Sequence, residues 1–168
     1  FSTIRASWDR QRVIAPVLSM LAKITADAAG SESVYHLTWR LLDALDSPDL
    51  GDAVDDALIR AWELKLLHVA GSTPQFAACV RCGATDRITS FSARDGGVIC
   101  ADDETALDRP ISQDVYETAG YLLQTALAEI SGGSTGGAAT IAKVRDIVTR
   151  PMLTDSFGLA PDVASPSR

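Results

Sequence analysis

The chain has 168 residues, 46% of them hydrophobic, and a formal charge of −7 at pH 7. That length suits one main core plus a small appendage rather than two full domains, and the acidic balance excludes a surface that coats nucleic acid uniformly, because phosphate neutralisation needs a net basic face. No run approaches the ~18 apolar residues of a membrane span, and Phe1 opens neither with an initiator Met nor with a basic-then-apolar leader, so the expectation is a soluble cytoplasmic protein lacking an upstream domain.

At the front, Arg5, Arg10 and Arg12 cluster near Trp8 and are the candidate nucleic-acid contacts. Val13, Ile14, Val17, Leu18, Leu21 and Ile24 then recur at helical spacing, with Gly30 placed as a C-terminal stop and Pro16 marking either the start of this helix or a kink in it. Val34, Leu37, Leu41, Leu42 and Leu45 form the stripe of a second helix, capped by Ser31 or Ser33 and followed by Pro48. Around its end six aspartates from Asp43 to Asp56 occur without an intervening Lys or Arg, which reads as a solvated loop and helix start. A third helix runs from Asp49 or Asp52 to Ala70, with Val54, Ala57, Leu58, Ala61, Trp62, Leu66 and Val69 on one side and Gly71 closing it.

Three cysteines, an odd number, fit a metal site in a reducing compartment better than a disulfide framework. Cys79-Val80-Arg81-Cys82-Gly83 puts two sulfurs within reach of one tetrahedral metal, and Gly83 suits a turn that needs positive φ. Ile88 to Ser92 has the make-up of a strand, Asp95-Gly96-Gly97 is a turn signal, and Val98-Ile99-Cys100 returns the third sulfur after 17 intervening residues. A fourth cysteine is missing at position 103, where Asp103 can supply an oxygen ligand; Asp102 and His68 are weaker alternatives. The metal site is therefore Cys79, Cys82, Cys100 and Asp103, holding a structural zinc unless the knuckle is degenerate.

Beyond the hairpin, Val115, Ala119, Leu122, Leu123, Ala126 and Ile130 predict another helix, and Ile141, Val144, Ile147 and Val148 predict one that ends before Pro151. Ser131 to Gly137 lacks the Lys of a phosphate-binding loop and reads as a linker, and Thr154 to Arg168 as a loose tail. The expected fold is mostly α: a helical bundle with an inserted short zinc-ribbon-like β-hairpin. Its parts are a first helical section over residues 1–78, the knuckle over 79–109, a second helical section over 110–152 and a flexible tail over 153–168, with Leu18, Leu21, Leu41, Leu58, Trp62, Leu66, Leu122 and Val144 in the core.

The segment Ala61 to Gly71, with Glu63-Leu64-Lys65-Leu66-Leu67 inside it, then Pro74 and Cys79-Val80-Arg81-Cys82-Gly83, resembles the RecO family of bacterial DNA repair proteins. Phe91 to Cys100 is similar to the family's hairpin, and Phe1 to Arg5 with Val34 to Leu42 resembles its helices after an N-terminal OB-fold, so the likeness covers about residues 1–150. It implies a non-enzymatic recombination mediator, nucleoid-associated, that anneals single strands and, with RecR, loads RecA onto DNA coated by single-strand-binding protein. The implied partners are RecR, the acidic C-terminal tail of single-strand-binding protein, and single-stranded DNA held mainly by the absent OB-fold, with no membrane. Asp103, where zinc-binding members carry Cys, departs from the pattern. The rival readings are a zinc-ribbon adaptor or transcription-type module and, further off, a zinc hydrolase; a deaminase fails because neither His36 nor His68 is followed by x-Glu.

Overall fold

The computed structural model describes residues 1–27, 32–48, 50, 52–130 and 136–158. Helix dominates. A short α1 (Ser2–Ala6) is separated from α2 (Trp8–Asp27) at extended Ser7, and α3 (Glu32–Leu45) and α4 (Asp52–Val69) follow. Pro16 is accommodated inside α2, which starts eight residues before it. Gly30 and Ser31, the predicted stop and cap, lie outside the described residues, as do Asp49 and the side chains of Asp52 and Asp55 from the acidic run.

Helix α4 is the axis of the molecule. One apolar side is predicted from the sequence, but Ala57, Leu58, Ile59, Ala61, Trp62, Leu64, Leu66 and Leu67 are all buried, so the helix is covered nearly all round, as befits a central element. It packs against α2, α3 and the helices of the C-terminal half. Of the predicted core, Leu41, Leu58, Trp62, Leu66, Leu122 and Val144 are buried and Leu21 is partly buried against them. Leu18 is the exception at 52% exposure: Val17 and Met20 take the inward positions of that turn, and Leu18 falls on the outer face.

After α4, Gly71 turns the chain at φ 81° into the knuckle. Strands β1 (Ile88–Ser92) and β2 (Gly97–Cys100) form the antiparallel hairpin, with a bulge between Ile88 and Ser90. A two-residue strand β3 (Arg109–Pro110) pairs on the other edge of β1, giving the order β2-β1-β3 and enlarging the hairpin by a strand too short to show a period of its own. Phe91 and Val98 face the main core, and Phe91 stacks on Phe76 at 6.0 Å between ring centroids.

The C-terminal half starts with α5 (Gln113–Gln124). The single helix predicted through Ile130 breaks at Thr125, which is extended, and a 3-10 turn over Leu127–Glu129 carries Leu127 and Ile130 into the core instead. Next, α6 (Ala138–Lys143), a π-helical segment (Val144–Thr149) and α7 (Arg150–Phe157) form one continuous rod. Pro151 does not end it. The π segment re-spaces the backbone bonds, with the Arg150 N–H donating to the Arg145 carbonyl five residues back, and the proline falls in the first turn of α7, where it needs no N–H donor. Helix therefore reaches Phe157, beyond the point where a loose tail is predicted; most of the Ser131–Gly137 linker and everything after Gly158 lie outside the described residues. Among the described residues, no helix is long and apolar enough to cross a membrane.

Candidate metal centre

The knuckle is built by backbone bonds before any side chain matters. Gly83, at φ 82°, donates its N–H to the Cys79 carbonyl at 2.8 Å, while the Cys79 N–H donates to Ala84 at 2.7 Å, so the Cys-x-x-Cys turn closes on itself. The Val80 N–H donates to Val98 of β2 at 3.0 Å, and this fastens the turn to the returning strand that ends in Cys100. Asp103 follows three residues later, its N–H on the Cys100 carbonyl at 3.2 Å.

The four predicted ligands converge. The Cys79, Cys82 and Cys100 sulfurs and an Asp103 carboxylate oxygen all lie within 4.8 Å of one another. Cys82 and Cys100 Sγ are 3.6 Å apart, and Asp103 Oδ2 is 3.5 Å from Cys79 Sγ and 3.7 Å from Cys100 Sγ. Two thiolates bound to one tetrahedral zinc at ~2.3 Å stand about 3.8 Å apart, so the spacing suits a single small ion. The soft donor set, three sulfurs and one oxygen, suits zinc. Cys79 and Cys100 are buried, Asp103 is half-buried and Cys82 is exposed. The two weaker alternatives stay away: Asp102 pairs with Arg87, and exposed His68 sits 2.9 Å from Thr73 Oγ1.

Electrostatics at the cluster depend on who holds the protons. Burial raises the Cys79 thiol, but backbone N–H groups of Cys100, Cys82 and Arg81 outweigh it and leave Cys79 below its ordinary value. The Cys82 thiol is pushed up to about 12, first by donating to the Asp103 carboxylate. Asp103 is correspondingly lowered, by the Cys82 and then the Cys79 thiol.

Arg81, inside the knuckle, gives its backbone N–H to Cys79 but directs its side chain elsewhere. Its guanidinium turns outward and clamps the surrounding loops: it donates to Asp108 at 2.7 and 2.9 Å, to Asp95 at 2.6 and 3.0 Å, and to the Asp103 carbonyl at 2.6 Å. Asp108 also accepts from the Thr105 N–H and hydroxyl, and its carboxyl is held down to about 2, first by Arg81. Asp108 escaped the sequence reading and Asp95 was read only as part of a hairpin turn, although Thr105-x-x-Asp108 has the spacing at which an acidic side chain reaches back to a backbone N–H.

The predicted nucleic-acid contacts are not one track. Arg10 is buried, and its guanidinium donates to the carbonyls of Leu45, Ser47 and Leu50, where α3 ends; it caps that helix and is withdrawn from any phosphate. Arg5 is exposed and donates to the Phe1 carbonyl, and Arg12 is exposed 3.9 Å from Asp9. Asp46, read as a solvated acid, accepts the N–H groups of Thr3 and Ile4 and ties α1 to the end of α3.

A helical body with a hairpin-borne Cys-x-x-Cys knuckle inserted after its central helix defines a knuckle-bearing helical protein. A family model described as Recombination protein O C terminal matches residues 5–150, through both helical sections and the knuckle between them. The chain belongs to the RecO family. Among its curated relatives, the DNA repair protein RecO of Roseiflexus sp. is 30% identical over 88% of this chain and 52% of its own. Those of Alkaliphilus metalliredigens and Desulforamulus reducens are 28% and 31% identical over 60% and 61% of this chain, covering 40% and 39% of theirs. The chain thus spans about half or less of the length of these relatives. No solved structure matches it.

Proposed function

We propose that the chain is the non-catalytic helical scaffold of a recombination mediator in DNA repair, assisting single-strand annealing and RecA loading through RecR and the tail of single-strand-binding protein. The observation that carries this is the family match over residues 5–150. Both histidines lie on the surface, His36 beside Glu32 and His68 beside Thr73, and neither joins the four-residue cluster. In this reading 79–109 is an inserted module within one helical domain of 1–78 and 110–152, and the protein works in the cytoplasm beside the nucleoid. Exposed Arg5 and Arg12, flanking Trp8 at 73% exposure, are the basic groups available to a strand.

Cys79, Cys82, Cys100 and Asp103 would hold a structural zinc, which when bound supplies no reaction but fixes the knuckle against β2. The backbone N–H groups on Cys79 share the excess negative charge of three thiolates and a carboxylate. Metal analysis of the purified chain tests this, with near-stoichiometric zinc expected in the wild type and its loss in Cys100→Ala; zinc retained by Cys100→Ala would show the ligand set to be wrong. For the scaffold itself, calorimetric titration with RecR is expected to show a defined complex, and absence of binding at micromolar concentrations would sink the reading.

A further inference from the structure

We propose that the knuckle is also a thiol-oxidation site, in which a peroxide joins Cys82 to Cys100 as a disulfide. The Cys82–Cys100 link itself needs no metal; the release of zinc that it entails rests on the metal reading above. Three observations select this pair. The Cys82 and Cys100 sulfurs stand 3.6 Å apart and must close only to about 2.05 Å to bond. Cys82 lies at the exposed side of the turn, open to a small oxidant, while Cys100 at 1% exposure stands directly behind it as the resolving thiol. Cys79, by contrast, is buried at 3%, out of reach of the oxidant.

The chemistry balances with hydrogen peroxide as the oxidant. Once Cys82 is deprotonated, as ligation of zinc requires and alkaline solution allows, its thiolate attacks one peroxide oxygen, the O–O bond breaks, and Cys82 becomes a sulfenic acid with release of hydroxide. The Cys100 thiolate then attacks the Cys82 sulfur, forms the S–S bond and expels a second hydroxide. Two thiolates together lose two electrons, and the peroxide takes both. The link removes two of four ligands at once; Cys79 and Asp103 alone leave a zinc ion half-coordinated, so it departs. The rest of the fold is spared, because Phe91 and Val98 anchor the hairpin in the main core while Cys79, Ile99 and Cys100 form a separate small cluster.

The test treats the purified chain, zinc-loaded and metal-free, with hydrogen peroxide, then alkylates and maps the thiols by mass spectrometry while a chromogenic chelator counts released zinc. Expected are a Cys82–Cys100 cross-linked peptide in the zinc-loaded chain and, in alkaline solution, in the metal-free chain, with Cys79 still alkylated and one zinc released per disulfide. A chain that never binds zinc but still forms the link would overturn the metal reading and keep the oxidation site. A dominant Cys79–Cys82 link, or three thiols that remain alkylatable after zinc has gone, would overturn the oxidation site. Cys79→Ser should still form the link, and Cys100→Ser should accumulate a dimedone-trapped sulfenic acid on Cys82, with circular dichroism confirming that each variant is folded; if either variant unfolds, the wild-type map decides alone.

Discussion

Arg81 shows how one side chain can organise a site without entering it. It joins the knuckle to the hairpin turn through Asp95 and to the loop before β3 through Asp108, whose side chain is 1% exposed. Asp108→Ala removes the acceptor for four donor groups and should cost about 2 kcal/mol in urea denaturation, more than Asp95→Ala at a site 35% exposed. The pH dependence has a definite sign. Asp108 is held down to about 2 in the fold against about 3.9 in an unfolded chain, so its stabilisation is fully present above the unfolded value and is lost as pH falls through the folded one. Asp108→Asn should therefore show a flatter stability curve than wild type between about pH 4 and pH 2. Arg10 makes the complementary case. Arg10→Ala strands carbonyls at the end of α3 and should destabilise by about 2 kcal/mol, whereas Arg12→Ala, at the exposed surface, should leave the melting temperature unchanged. Sequence alone could not separate them, because Arg10 meets its carbonyls some 35 to 40 residues away along the chain. The convergence of Cys79, Cys82, Cys100 and Asp103 was legible for the opposite reason: a two-residue spacing and a hairpin signal are local.

Among elements, α4 and the C-terminal rod are fastened by a buried polar contact. Glu63 is 2% exposed, accepts from Thr149 Oγ1 at 2.6 Å and lies 3.3 Å from Arg60, itself 10% exposed. Burial pushes the Glu63 carboxyl up, with Arg60 and the Thr149 hydroxyl pulling it back. Removing one partner strands the other: Glu63→Leu should cost about 3 kcal/mol, while Arg60→Met with Glu63→Leu should come within about 1 kcal/mol of wild type in the same denaturation assay. The hairpin has its own tight point at Gly97, where a Cβ would collide with the Val80 side chain and come within 2.8 Å of the Gln75 carbonyl. Gly97→Ala should lower the melting temperature and loosen the knuckle's attachment, read as faster amide exchange at Val98 and Val80. The helical periods exposed every long helix in the sequence, since burial of one stripe needs only local spacing. They failed where a longer-range device intervened: the π segment that carries the rod past Pro151, and extended Thr125, which turns the chain so that Ile130 can reach the core. Pairing of β3 with β1 was equally hidden, because two residues carry no period.

At the scale of the molecule, charge and coverage set what the chain can do alone. With a net charge of −7 and Arg10 committed to a helix end, it should bind single-stranded DNA only weakly, and fluorescence anisotropy at about 0.15 M salt should find no nanomolar affinity. Tight binding would mean that Arg5, Arg12 and Trp8 form a working strand contact after all. The division of the hairpin between two clusters has a consequence of another kind. Phe91 and Val98 belong to the main core, whereas Cys79 and Cys100 pack with Ile99 in a small cluster against Val80, Ala84 and Ile88, and of these Ile88 alone also packs on the main core. A substitution at a ligand position is therefore felt by the small cluster and hardly at all by the large one. The two clusters are thus separable, and a change such as Asp103→Cys should leave the main unfolding transition where it is in thermal denaturation.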